Sequence, residues 1–74
     1  MKKIDLHGLR HHLVRTVLIR EIEAIWDTDT DVEIITGYSD RMQKIVMEIL
    51  DEYKLEYRIG DFSGVNTGFI KTTI

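Results

Sequence analysis

Hydrophobic and polar positions follow one another along the chain in a pattern that predicts four strands and two helices. Residues 2–7 place Ile4 and Leu6 on one face and charged side chains on the other, as in a half-buried strand. Further strands are predicted over 32–36, 55–59 and 69–74, where β-branched and aromatic residues lie between turn signals. Apolar residues spaced by three and four predict a helix after each of the first two strands.

The two predicted helices each carry one apolar face. Ser39 or Asp40 is expected to cap the second helix, because both side chains accept hydrogen bonds from free amides at a helix start. The first face comprises Leu13, Val14, Val17, Leu18, Ile22, Ile25 and Trp26, and the second comprises Met42, Ile45, Val46, Ile49, Leu50 and Tyr53.

The element order βαβαββ predicts an α/β fold. Two helices can cover only one face of a four-stranded sheet, so we expect a two-layer sandwich with both helices on one face and a single domain over residues 1–74. Right-handed crossovers make the first three strands parallel, and a hairpin makes the last antiparallel, which gives a mixed sheet. Residues 7–8, 36–40 and 60–68 should then border one edge, where open α/β sheets bind ligands.

Composition and charge limit the partners. The chain has 74 residues and no cysteine, and no stretch is apolar enough to span a membrane, so we expect a cytoplasmic protein without a membrane partner. The net charge of −3 argues against a protein coated in nucleic acid. Residues 1–26 carry a balance of +2 and all three histidines, whereas residues 27–40 carry −5. An anionic partner should therefore approach the first helix and the loop before it.

Asp5 and His7 are the first candidates for chemistry. They lie two residues apart on a strand and therefore project from the same face. A carboxylate beside an imidazole can fix its tautomer and raise its basicity, which suits general acid–base catalysis. The alternative is a solvated strand face with an incidental histidine.

The segment "ITGYSD" is a second candidate. Gly37 allows a tight turn, and the first amides of the following helix can bind an anion with help from Arg41 and Lys44. Tyr38 is the tyrosine placed to stack on a base. The alternative is a capped helix start without a ligand.

The turn "GDFSGVNTG" at 60–68 allows either close approach of a ligand to the backbone or a loop without a special role. Phe62 is a candidate for base stacking or for closing the core. No metal or other cofactor is predicted, because His11 and His12 diverge on a helix, and "DTDTD" lacks the glycine and glutamate of a calcium loop.

Together, "IDLHG" at 4–8, "TGYS" at 36–39 and "NTG" at 66–68 resemble the "LDLHG", "TGxG" and final glycine motifs of the Smr (small MutS-related) domain family. The resemblance implies a fold like the C-terminal domain of a translation initiation factor, nucleic-acid binding and endonuclease activity. The resemblance implies that Asp5 and His7 are the catalytic pair and that Gly8 shapes the turn after the first strand. It also implies that Thr36 and Gly37 belong to a phosphate-contacting loop and that Gly68 belongs to the third, glycine-containing motif. Ser39 departs from the family pattern by replacing the second glycine.

Three hypotheses follow. The first is an endonuclease for RNA or flexible, single-stranded DNA, in which Asp5 orients His7, and Arg10 or Arg41 helps amides of residues 37–40 hold the phosphate. The second is a non-catalytic nucleic-acid-binding or ribosome-associated module that uses the same edge, with electrostatic contacts from Lys3, Arg10, His11, Arg15 and Arg20. The third is a protein-interaction domain, either monomeric or a weak homodimer.

Overall fold

The six elements follow the predicted order in a computed structural model, which describes residues 1–60 and 67–74. Most strands are a little shorter than predicted, because hydrogen-bonded pairing ends before the apolar pattern does. The elements are β1 (Lys2–Asp5), α1 (His11–Ala24), β2 (Asp31–Ile35), α2 (Asp40–Glu52), β3 (Tyr57–Ile59) and β4 (Phe69–Thr73).

The sheet has the strand order β1-β2-β4-β3. β1 pairs in parallel with β2, and β4 is antiparallel to both of its neighbours, β2 and β3. β1, β2 and β3 therefore run in the same direction, so the predicted mixed sheet is confirmed. The carboxyl ends of these three strands and the start of β4 share one edge.

The two faces of the sheet differ in polarity. Ile4, Ile34 and Ile70 are register partners across three strands and lie in the core. Lys3 and Lys71 are both register partners of Glu33 on the opposite face. This alternation places the helices on the isoleucine face and leaves the charged face uncovered by either helix.

The helices complete one hydrophobic core. Val14, Leu18 and Ile22 follow one another at a spacing of four residues on α1 and are fully buried. α1 contacts α2, and the Arg15 guanidinium donates two hydrogen bonds, of 2.6 and 2.8 Å, to the Glu52 carboxylate. These bonds lower the pKa of Glu52. In the described part of the chain, no helix combines the length and apolar character needed to cross a bilayer.

Two residues of the predicted apolar face of α1 are not buried. Leu13 is 41% exposed, because one residue turns a helix by about 100° and Val14 occupies the inward direction. Trp26 is 48% exposed and lies beyond the end of α1 at Ala24. Its ring instead packs against Tyr53 at a centroid distance of 5.3 Å. The assignment of both residues to the core-facing stripe is therefore wrong.

Candidate functional site

Three segments that are distant in sequence meet at the carboxyl edge of the sheet. The Gly68 carbonyl accepts hydrogen bonds from the amides of Thr36 and Gly37, each at 2.9 Å. A Cβ atom at position 37 would lie 2.8 Å from Cδ2 of His7, so the imidazole packs directly on the Gly37 backbone. The expected clustering of residues around 7, 37 and 68 is therefore present.

A tight turn presents His7 at this edge. The Leu6 amide continues the pairing with β2 by donating to the Ile35 carbonyl at 2.8 Å, and the Leu9 amide closes the turn onto the Leu6 carbonyl at 3.0 Å. Gly8 has φ +80°, a conformation that favours glycine. His7 is exposed, whereas Leu6 is fully buried. The break after β1 therefore anchors the chain in the core and leaves the imidazole in solvent.

Asp5 contacts His7 through the backbone. Its Oδ1 accepts a hydrogen bond from the His7 amide at 3.0 Å. The expected arrangement was a carboxylate on the imidazole, which would set the tautomer of the ring. In this structure the carboxylate instead stabilises the turn that carries His7, as Asp side chains do when they bond an amide two residues on.

Thr36 and Gln43 hold the second and third segments together. Thr36 is only 2% exposed, and its hydroxyl lies 2.9 Å from the Gly37 carbonyl and 3.2 Å from that of Gly68. The Gln43 amide nitrogen donates to the carbonyls of Thr67 and Gly37. The donors of Thr36 and Gly37, expected on phosphate, are thus engaged within the protein. Gln43 was missed from the sequence, because an amide on a helix carries no local signal for such a contact.

Replacing Thr36 with valine should lower the free energy of unfolding by about 1 kcal/mol, because the carbonyls of Gly37 and Gly68 lose the buried hydroxyl that donates to them. Urea unfolding of both proteins measures this difference. Thr73→Val is the matched control, since the Thr73 hydroxyl bonds an exposed carboxylate of Asp31 at 2.9 Å, and it should change stability by less than about 0.5 kcal/mol. Equal losses in the two variants would contradict the role given to Thr36.

At the start of α2, an aromatic ring and two backbone amides lie at the carboxyl edge of the sheet. The Ser39 hydroxyl accepts from the Met42 amide at 3.2 Å, so Ser39 is the N-cap of α2, as expected. Within the described residues, the amides of Tyr38 and Ser39 donate no hydrogen bond. Tyr38 is 74% exposed, and Arg41 is exposed in the first turn of α2. Tyr38, Ser39 and Arg41 therefore remain available as ligand contacts.

A cleft of about 440 Å³ opens at this edge on the uncovered face. Glu33 lines this cleft because the parallel pairing of β1 with β2 sets the strand register, and no pattern in the sequence indicated that this carboxylate shares a cleft with His7. Strand alternation could have indicated only that Glu33 points away from the core. The cleft is lined by His7, Glu33, Ile35, Gly37, Tyr38, Gly68 and Phe69.

A larger cleft of about 640 Å³ lies at the opposite edge of the sheet, among residues that include Met1, Lys54 and Tyr57. The described residues that line it include no histidine and no glycine turn, so it is the weaker candidate for chemistry despite its size. The acidic run at 27–31 also precedes β2 at that opposite edge. The strongest negative charge of the chain is thus held away from the smaller cleft, which we call the His7 cleft.

Some of the cations expected to contact an anion are engaged in ion pairs, and others are not. Lys3 pairs with Glu33 at 3.8 Å, and Arg15 pairs with Glu52 at 2.6 Å. Arg10 precedes α1, is exposed and makes no side-chain cap. Among the described residues, Arg10, Arg41 and Lys44 are exposed and have no ion-pair partner, so all three are free to meet a phosphate.

Part of the third segment lies outside the described residues. Phe62, Gly64 and Asn66 belong to residues 61–66, so the stacking and glycine-turn predictions made for them stay predictions. Across the described residues, no three His, Asp or Glu side chains converge as metal ligands.

The fold and the cleft define a class of protein: a small two-layer α/β domain with a solvent-exposed histidine between glycine turns at the carboxyl edge of its sheet. Comparisons with protein-family models, with curated proteins and with solved structures each found no match to the chain.

Proposed function

We propose that this chain is an Smr-like nucleic-acid-binding domain with endonuclease activity on RNA or on flexible, single-stranded DNA. One observation carries the proposal: described residues of the three segments that resemble the family motifs meet at one sheet edge, where the His7 imidazole packs on Gly37 and the Gly68 carbonyl accepts hydrogen bonds from Thr36 and Gly37. The cytoplasm is the proposed compartment, and a monomer or weak homodimer is the proposed state.

His7 is the proposed general base and acid. On RNA, the neutral imidazole takes the proton of the ribose 2′-hydroxyl as its oxygen attacks the adjacent phosphorus. The protonated ring then returns a proton to the departing 5′-oxygen, which leaves a 2′,3′-cyclic phosphate and a free 5′-hydroxyl. On DNA, a water molecule is the attacking group. Acid–base catalysis of this kind contributes about 10²–10⁴-fold to a rate.

The neighbours of His7 supply positioning and charge. Asp5 acts as a positioning residue, because its carboxylate holds the amide of His7. Thr36 and Gln43 keep the Gly37 and Gly68 turns together, and Gly37 supports the ring. The amides of Tyr38 and Ser39, with Arg10 and Arg41, hold the phosphate in this proposal. Fixed donors aimed at a developing negative charge usually provide a large share of catalysis.

The direct test is cleavage of end-labelled single- and double-stranded RNA and DNA, each with and without a chelator. We expect cleavage of single-stranded RNA that persists in the chelator and yields cyclic phosphate ends. No cleavage of any of these substrates in either buffer would overturn the endonuclease proposal.

A non-catalytic nucleic-acid- or ribosome-binding module is the second candidate. It is favoured by the Asp5 carboxylate, which bonds the His7 amide rather than the imidazole, and by the exposed Tyr38 ring. Binding to single strands that weakens steeply with salt, without any cleaved product, would select this candidate.

A further inference from the structure

The His7 cleft is an open depression at the sheet edge with mostly apolar walls. Its volume of about 440 Å³ lies within the usual range for ligand pockets of ≈ 300–1,000 Å³. Ile35 and Phe69 are register partners on the uncovered face, and Tyr38 stands beside them in the lining. Two aromatic residues and an aliphatic one suit the flat face of a nucleobase.

Glu33 decides which part of a nucleotide can enter. Its side chain is 17% exposed, and it is the one carboxylate among the described residues that line the cleft. Its carboxylate pairs with the Lys3 ammonium at 3.8 Å, and Lys71 is its register partner on β4. Carboxylate oxygens accept hydrogen bonds from N–H groups, whereas the oxygens of a phosphate diester are themselves only acceptors. A base edge that carries N–H donors therefore suits this part of the cleft better than a phosphate does.

We propose that the cleft selects guanine. The Watson–Crick edge of guanine presents the N1–H and the 2-amino group side by side, which matches the two oxygens of one carboxylate. Adenine and cytosine present one donor beside an acceptor, and uracil presents one N–H between two carbonyls. Glu33 accepts both guanine donors while the ring stacks against Tyr38. This inference rests on the proposed function, because it names the base held next to the cleaved phosphate.

Binding of four pentaribonucleotides tests the inference without relying on cleavage. The probes carry 2′-O-methyl groups, which block attack by the 2′-oxygen, and have the sequence UUXUU with X as G, A, C or U. Isothermal titration at low salt should show the guanine probe binding about tenfold more tightly than the others, at the lower end of discrimination by a bidentate contact. Shifts in NMR signals of Tyr38 and Phe69 would locate the base.

Three variants distinguish the effect of the Glu33 carboxylate from the effect of its ion pair with Lys3. Glu33→Gln should abolish the guanine preference, because one of the two acceptor oxygens is replaced by an NH2 group that cannot accept from guanine. Lys3→Gln removes the same ion pair but keeps the carboxylate, so the preference should survive. Glu21→Gln is the matched control, since Glu21 pairs with Lys2 at 3.3 Å outside the cleft.

Each possible result either supports or overturns the guanine inference. Equal affinities of the wild type for all four probes, no binding of any probe, or a guanine preference that persists in Glu33→Gln would overturn the inference. Failure of the proposed endonuclease is seen separately, as the absence of cleavage in the substrate panel. A guanine preference without cleavage would support the guanine site in a domain that binds nucleic acid without cutting it.

Discussion

His7→Ala should lower the rate of cleavage by about 10²–10⁴-fold, the usual contribution of one acid–base group. The imidazole is the group proposed to take the 2′-hydroxyl proton, and no other histidine lines the His7 cleft among the described residues. The side chain is exposed, so its removal should change the free energy of unfolding by less than about 0.5 kcal/mol. Single-turnover cleavage of labelled RNA, beside urea unfolding, measures both quantities.

His12→Ala is the matched control for this experiment. His12 is exposed in the first turn of α1 and is absent from the lining of the cleft. Its replacement should leave both cleavage and probe binding unchanged. If His7→Ala cuts RNA as fast as the wild type, the acid–base mechanism is wrong, and the non-catalytic module takes its place.

Gly37→Ala is expected to cause the second-largest loss of cleavage rate, because it displaces the imidazole of His7 without removing it. The new methyl group would lie 2.8 Å from Cδ2 of His7, a distance that forces the ring to move. A displacement of about 1 Å from the productive geometry can lower a rate by about 10²-fold. Gly37 also has φ +68°, so alanine should cost about 1–2 kcal/mol of stability. Cleavage rates and urea unfolding test the two effects separately.

Gly8→Ala distinguishes the displaced ring from the strained backbone. Gly8 has φ +80°, but a Cβ atom there meets nothing within 4 Å. The two variants should therefore lose similar stability, whereas cleavage should fall further in Gly37→Ala. A smaller loss of cleavage in Gly37→Ala than in Gly8→Ala would show that contact with Gly37 does not position His7.

The low net charge of the chain is compatible with an anionic ligand once the structure is considered. Asp27 and Asp29 precede β2 and Asp31 is its first residue, so all three lie toward the sheet edge opposite His7. Surface charges separated by more than about 10 Å are largely screened at 0.1 M salt. The local balance near Arg10 and Arg41 therefore matters more for binding than the total of −3.

The sequence was sufficient to predict the element order and the common edge of the candidate segments. Alternation of Ile4 and Leu6 with charged residues defined the faces of β1, and the order βαβαββ with right-handed crossovers placed the strand ends together. The Ser39 cap also followed from local chemistry. These features depend on the period of a strand or helix and on neighbours within a few residues.

Only the tertiary structure decided which groups face one another at that edge. The register of β1 on β2 brings Glu33 into a cleft with His7, and close packing sets the imidazole on Gly37. The tertiary structure also places the Asp5 carboxylate on the His7 amide rather than on the imidazole. Sequence periodicity determines the direction of a side chain from its own element, whereas its partners depend on strand pairing and core packing across the whole chain.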